Sequence, residues 1–583
     1  MPRPRAISRS DPTVISNSEM ARIFNEIGDM LEISGELVYK AVAYRRVADA
    51  VERWPDDVAH LFASGDAPKI PGAGPALTAK LEELATTGQL GYYDKMRAQV
   101  PAGLLEILKI PGVGPRTVKQ LHDELGIDSV EALRAAAEGG TLRTLKGLSS
   151  RTEENILAAM ARLASRGTRL LLHDADALMA GLVDRLREVR GVRAIEPAGS
   201  LRRRRPTIGD LDLLAATDDP ARLIAALNGL EAIDAVINAG TDKSSIVLAE
   251  GPQVDLMVCP PAAWGSHLVH FTGSKEHNVA LRGMALARGL SLSEKGFKSV
   301  ETGELEPIAT EDEVYERLGL PWIPPELRED SGEIQAALKD RLPDLVSLTD
   351  LRGDTHVHSD WTDGVDSIEA MARAARGLGH EWIVLTDHSP SLGITRGLSP
   401  ERIEEQRIEI ARINRELAPF RVLHGTEMEI RADATLDYPD ELLAGFDVVV
   451  ASVHTSRGQS TEQLTKRTLA AIENPHVDIV AHPTGKIVNR RDPIALDWPR
   501  VFEAAARTGT ALELNGSPRL DLDDALARAA GQAGVRLTLA SDAHRTEELD
   551  QLRYAVSTAR RAWLTAKQVI GTRTAVGLLR VVR

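Results

Sequence analysis

The sequence is poor in cysteine and has no long apolar run. Its 583 residues include one cysteine, Cys259, which excludes an intrachain disulfide framework. No apolar stretch is long enough to span a bilayer, and the N-terminal segment MPRPRAISRS lacks the apolar core of a signal peptide. These absences favour a cytoplasmic protein that does not associate with membranes.

A uniformly basic surface is also missing. The formal net charge is -15, with 43% hydrophobic and 27% charged residues. This balance argues against nucleic-acid binding over the whole surface, although it leaves room for a local basic track on an acidic body. The length exceeds what one hydrophobic core supports, and domains of about 100–200 residues imply at least about three of them.

The first part of the chain repeats a glycine-containing phrase between helices. Apolar residues recur at three- and four-residue spacing from Glu19 to about Met160. The phrase IPGAGPALTAKL covers residues 70–81, and IPGVGPRTVKQL covers residues 110–121. A glycine turn before a helix exposes N–H groups that can hold a DNA phosphate without reading sequence. The candidate residues are Gly72, Gly74, Gly112 and Gly114.

One copy of this phrase is equally consistent with a tight helix connection in which the glycines serve packing. Two matching copies, with a weaker third at LKGLSSRTEENIL, favour phosphate binding.

From about Thr168, short apolar runs alternate with helical segments, which predicts a small mixed sheet packed against helices. Asp210 and Asp212 alternate along one strand and so share a face, and Asp255 lies in another apolar strand. Two Mg2+ or Mn2+ ions held by three carboxylates would support in-line phosphoryl transfer to a 3′-hydroxyl. The four arginines at 202–205 are placed to neutralise a triphosphate. The alternative is an exposed, salt-bridged loop before a strand.

After Leu351, strand and helix patterns repeat, and nearly every apolar run ends in or beside His, Asp or Glu. The carboxyl ends of strands in a parallel β/α barrel build the active site, so these side chains should converge. Mixed nitrogen and oxygen ligands suit Zn2+ or Mn2+ better than Mg2+. The candidate ligands are His356, His358, His388, Glu427, His454, His482, Asp542 and His544. An inactive structural remnant is the alternative, since lone histidines at strand ends are more often structural.

The segments GS, RRRR, GDLDLL, VDLMV and HFTGSKEHNVALRGMALARG follow the tandem glycine phrases in this order. Together they closely resemble the family X DNA polymerases over about residues 18–333. The resemblance implies a helical lyase-like domain, fingers with helix-hairpin-helix contacts, a palm and a thumb. It also implies that Asp210, Asp212 and Asp255 are catalytic residues that bind two metal ions.

The same resemblance implies a nucleotide site in which Ser200 and Arg203 contact the β- and γ-phosphates and Asn278 and Arg282 lie near the nucleotide and template. The implied site comprises Gly199, Ser200, Arg203, Gly209, His270, Phe271, Gly273, Asn278 and Arg282. His270 stands where vertebrate repair members carry a tyrosine beside the sugar, so discrimination against ribonucleotides does not carry over.

In the N-terminal domain, Lys80 falls at the position of the family's catalytic Schiff-base lysine, eight residues past Gly72. Lys40, Tyr44 and Arg45 match DNA-binding residues that hold a 5′-phosphate. Ala76 departs from the eukaryotic pattern, which has a phosphate-binding lysine there. Because a lysine on a helix surface is ordinarily only solvated, 5′-deoxyribose phosphate lyase activity stays an open alternative.

The histidine motifs resemble the PHP (polymerase and histidinol phosphatase) domain over about residues 350–583. The resemblance implies a centre of up to three Mn2+ or Zn2+ ions and adds Asp363 as an acidic variant of one ligand. PHP domains fused to family X polymerases are associated with Mn2+-dependent 3′-5′ exonuclease and with processing of blocked or abasic 3′ ends.

We therefore expect a multidomain α+β and α/β protein with helical helix-hairpin-helix domains, a nucleotidyltransferase-type palm with a thumb, and a distorted (β/α) PHP barrel. The expected boundaries are 1–95 for the lyase-like domain, 96–165 for the fingers, 166–260 for the palm, 261–333 for the thumb, 334–348 for a linker and 349–583 for the PHP domain.

The expected function is a monomeric DNA polymerase for short-gap repair, including base excision repair, that also trims 3′ ends. Its partners would be gapped or nicked DNA, 3′ ends and deoxynucleoside triphosphates. One alternative is a PHP nuclease or phosphoesterase with a DNA-binding scaffold in place of an active polymerase. Another is a non-enzymatic scaffold that bridges DNA ends.

Overall fold

The structure is a computed structural model that describes residues 15–582 apart from residues 16, 37, 53, 55–57, 65, 66, 109, 111, 112, 151, 154, 155, 158, 159, 161–168, 232 and 250. Contacts divide the chain into two compact units, Met1–Gly167 and Thr168–Arg583. No helix in the described part of the chain is long and apolar enough to cross a membrane.

The first unit is helical where it is described, and its apolar helix faces share one core. Each glycine phrase leads directly into a helix, with Gly74 and Gly114 as the N-caps and a proline as the first helical residue. Proline suits this position because the first helical N–H needs no intrahelical partner. The helices are α1 (Asn17–Ile33), α2 (Val38–Glu52), α3 (Val58–Ser64), α4 (Pro75–Thr87), α5 (Gly91–Gln99), α6 (Ala102–Leu108), α7 (Pro115–Leu125) and α8 (Val130–Glu138).

The second unit begins with a mixed sheet. Its strand order is β2-β4-β7-β6-β5, and β4 and β7 are the parallel pair. The short pair β1-β3 lies beside it. The elements are β1 (Leu170–Leu171), α9 (Leu172–Arg187), β2 (Val192–Pro197), α10 (Gly199–Arg202), β3 (Thr207–Ile208), β4 (Leu211–Thr217), α11 (Pro220–Asn228), β5 (Ile233–Ala239), β6 (Lys243–Leu248) and β7 (Gln253–Cys259).

A smaller helical and β region follows, with the antiparallel strand order β10-β9-β8. Ser274 caps the second of its helices by accepting the His277 N–H, and Thr310 with Glu313 forms a capping box at the third. The elements are α12 (Trp264–Thr272), α13 (Lys275–Leu286), β8 (Leu290–Ser293), β9 (Gly296–Ser299), β10 (Leu305–Glu306), α14 (Glu311–Arg317) and α15 (Glu333–Ala337).

The rest of the unit is a seven-stranded parallel sheet whose strands lie in chain order from β11 to β17. It is nearly closed, because His358 donates its N–H to the Ala543 carbonyl and Asp542 donates to the His356 carbonyl. The strands are β11 (Gly353–Val357), β12 (Trp382–Leu385), β13 (Arg421–Glu429), β14 (Val448–Ser452), β15 (Ile479–Val480), β16 (Ala511–Asn515) and β17 (Leu537–Ala540).

Helices alternate with these strands, as the sequence pattern predicts. They are α16 (Ile368–Gly377), α17 (Pro400–Glu416), α18 (Asp440–Leu443), α19 (Thr461–Glu473), α20 (Trp498–Thr508), α21 (Asp524–Gln532), α22 (Leu552–Arg561) and α23 (Ala575–Leu579).

The barrel and the mixed sheet share a packed boundary within this second unit. Leu520 and Tyr554 of the barrel belong to the apolar core of the mixed sheet. The His173 ring lies 3.8 Å from the Tyr554 ring, and its Nε2 is 2.7 Å from the Gly516 carbonyl oxygen. The expected fold class is confirmed, with helical domains, a mixed-sheet region and a parallel barrel.

Candidate active sites

Three carboxylates meet at the edge of the mixed sheet. Asp212 on β4 and Asp255 on β7 are register partners in the parallel pair, and Asp210 immediately precedes β4. Each offers an oxygen, and these oxygens lie within 4.8 Å of one another. Three half-buried carboxylates at this spacing form the oxygen donor set that hard divalent cations prefer.

The electrostatics of this carboxylate cluster favour a bound cation. Burial, followed by the negative charges of Asp210 and Asp255, raises the pKa of Asp212 to about 7. Lys243 and Arg203 oppose the shift, and Nζ of Lys243 lies 3.3 Å from Oδ2 of Asp255. These two cations do not balance three carboxylates, so a divalent ion would relieve the remaining repulsion.

Glycine is required at position 199 by this carboxylate cluster. Gly199 has φ +58°, and a Cβ there would lie 1.9 Å from Oδ2 of Asp212. Any side chain at this position would displace the carboxylate. The Ala198 N–H donates to the Asp212 carbonyl at 2.8 Å and fixes the turn against the strand.

A cavity of about 570 Å3 opens beside the carboxylates. All nine residues of the expected nucleotide site line it, namely Gly199, Ser200, Arg203, Gly209, His270, Phe271, Gly273, Asn278 and Arg282. Asp210 and Asp212 line it as well, together with Arg169, Thr272 and Lys275, which sequence reasoning missed. Lys275 had a signal, because it stands inside the quoted segment HFTGSKEHN.

The arginine run does not face this cavity as a group, contrary to the expectation that adjacent arginines neutralise a triphosphate. Arg203 lines the cavity, whereas Arg202 donates to both carboxylate oxygens of Glu311 at 2.8 and 2.9 Å. Arg204 pairs with Asp176 at 2.7 Å. The run begins at the last residue of the short helix α10 and continues beyond it, so successive side chains point in different directions and find separate partners.

Arg203 is itself held from two sides. Its Nε lies 3.2 Å from Glu329, and its Nη1 donates to the Thr272 carbonyl. Glu329 also accepts from the buried Arg561 of α22 at 2.9 Å, and Arg561 donates to the Arg203 carbonyl at 2.8 Å. One carboxylate therefore connects a cavity-lining arginine to a helix of the barrel.

The carboxyl ends of the barrel strands gather the histidine-rich residues. Their donor atoms form three neighbouring groups that share His358 and Glu427, each group lying within 4.8 Å. The groups are His358, Asp363, His388 and His544; His356, His358 and Glu427; and Glu427, His454 and His482. Asp542 lies beside them, with Oδ1 3.4 Å from Nε2 of His358. All nine candidate ligands thus lie together.

Unsatisfied polar atoms in this cluster fit metal ions. Nδ1 of His358, Oδ1 of Asp363 and Nδ1 of His482 are buried and have no hydrogen-bond partner among the described residues. Burial and the neighbouring His544 lower the pKa of His358 to about 3. A neutral imidazole keeps the lone pair that a metal needs.

Two glutamates that sequence reasoning did not select orient the histidines. Glu513 on β16 lies 2.7 Å from Nδ1 of His356 and accepts the His482 N–H at 2.6 Å. Glu429 on β13 lies 3.0 Å from Nδ1 of His454. Carboxylates behind metal-binding histidines fix the tautomer and raise ligand basicity. Both glutamates had a signal, since they lie in the apolar runs TALELNG (residues 510–516) and GTEMEI (residues 425–430), which are of the kind that marked the other ligands.

Charge in the barrel cluster is balanced by pairing. Burial alone would lower the pKa of His356, but Glu513, Glu427 and Asp542 raise it. Burial alone would raise the pKa of Glu427, but His388, His454 and His356 lower it well below its usual range. These histidines and carboxylates therefore form one coupled ionic network.

In the first unit, two of the four expected lyase residues contact Tyr92, which sequence reasoning missed. Nζ of Lys80 lies 4.5 Å from the centroid of the Tyr92 ring, and Tyr44 stacks on the same ring at 6.1 Å. Lys40 pairs with Glu36 at 2.9 Å.

Arg45, the fourth of these residues, donates to Asp29 and Glu32 at 2.7 Å each. Gly72 has φ +84°, and Gly74 and Gly114 cap their helices. Gly112 lies outside the described residues.

A depression of about 750 Å3 lies away from these centres, beside Leu351, Glu381 and Arg573. Leu351 and Glu381 stand near the amino ends of β11 and β12, opposite the ends that carry the histidines. Active sites of β/α barrels occupy the carboxyl end, so this depression is not part of the histidine-rich site.

Four known families match parts of the chain. Residues 15–90 match the helix-hairpin-helix domain, and residues 104–162 match the SAM-like helix-hairpin-helix tandem. Residues 267–329 match the DNA polymerase beta thumb, and residues 354–516 match the PHP domain.

Similar proteins cover one or both halves. A Bacillus subtilis (strain 168) protein named DNA polymerase/3'-5' exonuclease PolX is 37% identical over 559 residues, covering 95% of this chain and 97% of that protein. A probable phosphatase of Thermoanaerobacter sp. (strain X514) is 28% identical, covering 38% of this chain and 89% of that protein. DNA polymerase lambda of Rattus norvegicus is 25% identical, covering 53% of this chain and 54% of that protein.

The fold and its two donor clusters define a class of protein in which a nucleotidyltransferase-type palm is joined to a metal-binding parallel barrel. The chain belongs to the family X DNA polymerases that carry a C-terminal PHP domain, because the similarity to the Bacillus protein runs along nearly the whole of both chains. The resemblance drawn from the sequence motifs is confirmed.

Proposed function

We propose that the chain is a DNA-directed DNA polymerase that fills short gaps during repair and trims or processes 3′ ends at a second centre. The observation that carries the proposal is the presence of two separate donor clusters in one unit. One has three carboxylates on a sheet edge, and the other has nine candidate ligands at a barrel mouth. The name of the Bacillus relative joins the same two activities.

In the polymerase centre, Asp210, Asp212 and Asp255 would hold two divalent ions, which we take to be Mg2+ or Mn2+. When bound, such ions stabilise charge on an attacking 3′-hydroxyl and on a leaving pyrophosphate. Ser200 and Arg203 would bind the triphosphate from the cavity wall. Arg203 is supported in this role by Glu329 and the Thr272 carbonyl, which fix its guanidinium before a ligand arrives.

The other wall of the cavity would hold the sugar and base. Asn278 donates to the His270 carbonyl at 2.7 Å and receives a hydrogen bond from Arg282 on its own carbonyl at 3.2 Å. His270 would lie beside the sugar, and it packs against Phe271 at 5.0 Å. These contacts hold the side chains in place before the nucleotide binds, so less conformational entropy would be lost on binding.

In the barrel, His356, His358, Asp363, His388, Glu427, His454, His482, Asp542 and His544 would hold up to three Mn2+ or Zn2+ ions. Ions there polarise a phosphodiester towards hydrolysis. Glu513 and Glu429 would orient the imidazoles and set which ring nitrogen carries the proton. This supports 3′-5′ exonuclease and abasic-end processing.

The helix-hairpin-helix turns at Gly72, Gly74, Gly112 and Gly114 would grip the backbone of gapped or nicked DNA. We propose that Lys80 is the Schiff-base lysine of a lyase centre that also contains Lys40, Tyr44 and Arg45. We also propose that the protein acts as a monomer. The domain boundaries proposed are those expected from the sequence.

Primer extension on a gapped duplex with a 5′-phosphate tests the proposal. The labelled 3′ end should lengthen with nucleotides and shorten without them, in Mn2+ and then Mg2+. A primer that only shortens would support the alternative, a nuclease with the palm as a DNA-binding scaffold. A primer that never changes would support the non-enzymatic alternative.

A further inference from the structure

Two arginines meet at one carbonyl beside the barrel's metal cluster. Gly485 lies three residues after His482, and its carbonyl oxygen accepts from Nη1 of Arg457 and, at 2.9 Å, from Nε of Arg491. Arg457 itself lies three residues after His454. Both guanidinium groups are therefore attached to loops that leave proposed metal ligands.

A third arginine joins this group from the opposite loop. Nε of Arg519 lies 3.4 Å from Oδ2 of Asp542, a proposed ligand. Nη1 of Arg519 is buried and has no hydrogen-bond partner among the described residues. We name Arg457, Arg491 and Arg519 the rim arginines.

Two of the rim arginines, Arg457 and Arg491, are not neutralised in the way that Arg202 and Arg204 are, whereas Arg519 pairs with Asp542. In the described part of the chain, Arg457 and Arg491 contact main-chain oxygens and form no ion pair with a carboxylate. Burial, then Arg457 and Arg519, lower the pKa of Arg491 to about 10. Such clustering of like charges is unfavourable unless an anion offsets it.

The carboxylate of Asp521 lies nearby but does not by itself offset the positive charge of these arginines. Asp521 is buried, and its oxygens accept the Thr484 N–H at 3.1 and 3.4 Å. It interacts with Lys486, Arg457 and Arg491. Three cations thus share one carboxylate that already accepts hydrogen bonds from the backbone.

The loop that carries Gly485 and Arg491 also touches the mixed-sheet region. Nδ2 of Asn489 donates to the Arg169 carbonyl at 2.7 Å, and Val488 packs against the core of the mixed sheet. Arg169 lines the nucleotide cavity. The rim arginines therefore lie on the side of the metal cluster from which a DNA strand leaving the palm would come.

We propose that the rim arginines form a phosphate-binding subsite that holds the backbone phosphate next to the scissile one at the 3′ end of a DNA strand. This inference rests on the proposed exonuclease activity of the barrel. The guanidinium groups would act as positioning groups, since the phosphate that they bind is not the one cleaved.

The test uses a 5′-labelled single-stranded oligonucleotide in two forms, one natural and one with a neutral methylphosphonate at the linkage next to the terminal one. Arg491→Ala removes the guanidinium, and Arg491→Lys keeps the charge. Arg352→Ala is the matched control, because Arg352 pairs with Glu381 near the amino end of the barrel.

Arg491→Ala should raise KM for the natural oligonucleotide about tenfold and leave kcat nearly unchanged, since a positioning contact to a neighbouring phosphate is lost. Arg491→Lys should recover part of the loss, and Arg352→Ala should match the unmodified chain. The neutral linkage should raise KM in the unmodified chain by a similar factor and have little further effect in Arg491→Ala.

Equal KM values for Arg491→Ala and Arg352→Ala would overturn the subsite, as would independent, multiplying effects of the variant and the neutral linkage. If the unmodified chain does not shorten the oligonucleotide, the exonuclease proposal fails separately. Fluorescence anisotropy without divalent ions then compares Kd for the same oligonucleotides and variants. Equal Kd values for Arg491→Ala and Arg352→Ala would overturn the subsite. A neutral linkage that raises Kd in the unmodified chain but has little further effect in Arg491→Ala would support it.

Discussion

The carboxylate cluster of the palm and the histidine cluster of the barrel are assembled in opposite ways. The palm cluster depends on one pair of adjacent strands, in which Asp212 and Asp255 are register partners. The barrel cluster takes residues from the ends of strands all around the sheet and buries most of them. A substitution in this one strand pair should thus disable the palm cluster. The barrel cluster instead depends on residues that are distant from one another in the sequence.

The largest expected effect separates the two centres completely. Asp210→Ala should reduce nucleotide addition by at least about a thousandfold and spare exonuclease, while His356→Ala should do the reverse, because each removes a proposed metal ligand from one cluster. Primer extension and end-labelled digestion measure both in each variant. Loss of both activities in either variant would contradict two independent centres.

Gly199→Ala should lower nucleotide addition by about a hundredfold, because its Cβ would displace the Asp212 carboxylate. Exonuclease should be unchanged. Gly181→Ala on α9 makes the same chemical change where no atom lies within 4 Å, and should leave both activities intact. Normal nucleotide addition by Gly199→Ala would show that the turn can move away from the carboxylate.

Glu513→Gln tests the distributed character of the barrel. It should weaken metal affinity or exonuclease activity about 10- to 100-fold, because the charge that orients His356 is lost while the side-chain size is kept. Metal titration and digestion measure the effect. Glu381→Gln, at the opposite end of the barrel, is the control, and nucleotide addition should be unaffected by either change.

The last prediction concerns stability in acid, in the region that follows the mixed sheet. Burial alone would raise the pKa of Glu311, but Arg328 and Arg202 lower it from 4.5 to about 2. Because the folded-state pKa is depressed, the stabilisation is present above pH 4.5 and is lost as the pH falls towards 2. It amounts to about 3 kcal/mol.

Urea unfolding followed by fluorescence at pH 7 and at pH 3 measures this contribution. The difference between the unmodified chain and Glu311→Gln should shrink on acidification. A difference that is independent of pH would show that the ion pairs of Glu311 are not its source.

Sequence reasoning reached the groups whose positions follow from strand geometry. Alternation placed Asp210 and Asp212 on one face, and the ends of apolar runs marked the barrel histidines. Roles in binding and catalysis stay predictions for all of these residues, since proximity alone does not establish them.

Sequence reasoning could not supply partners that are distant in the chain. Arg202 finds Glu311 in the following region, and Arg204 reaches Ser557 in the barrel at 3.1 Å. Tyr92, which gathers Lys80 and Tyr44, carries no motif of its own. Such pairings arise from tertiary packing, which no local spacing encodes.

The closure of the barrel gives its histidine cluster a further property. His358 follows the first strand, His544 follows the last, and their rings stack at 4.2 Å. The residues that complete this group are thus synthesised almost 200 positions apart. Tight metal binding would accordingly require that both ends of the domain have come together. A chain truncated before His544 would lack this donor. Weak metal binding would then identify the truncated chain without an activity assay.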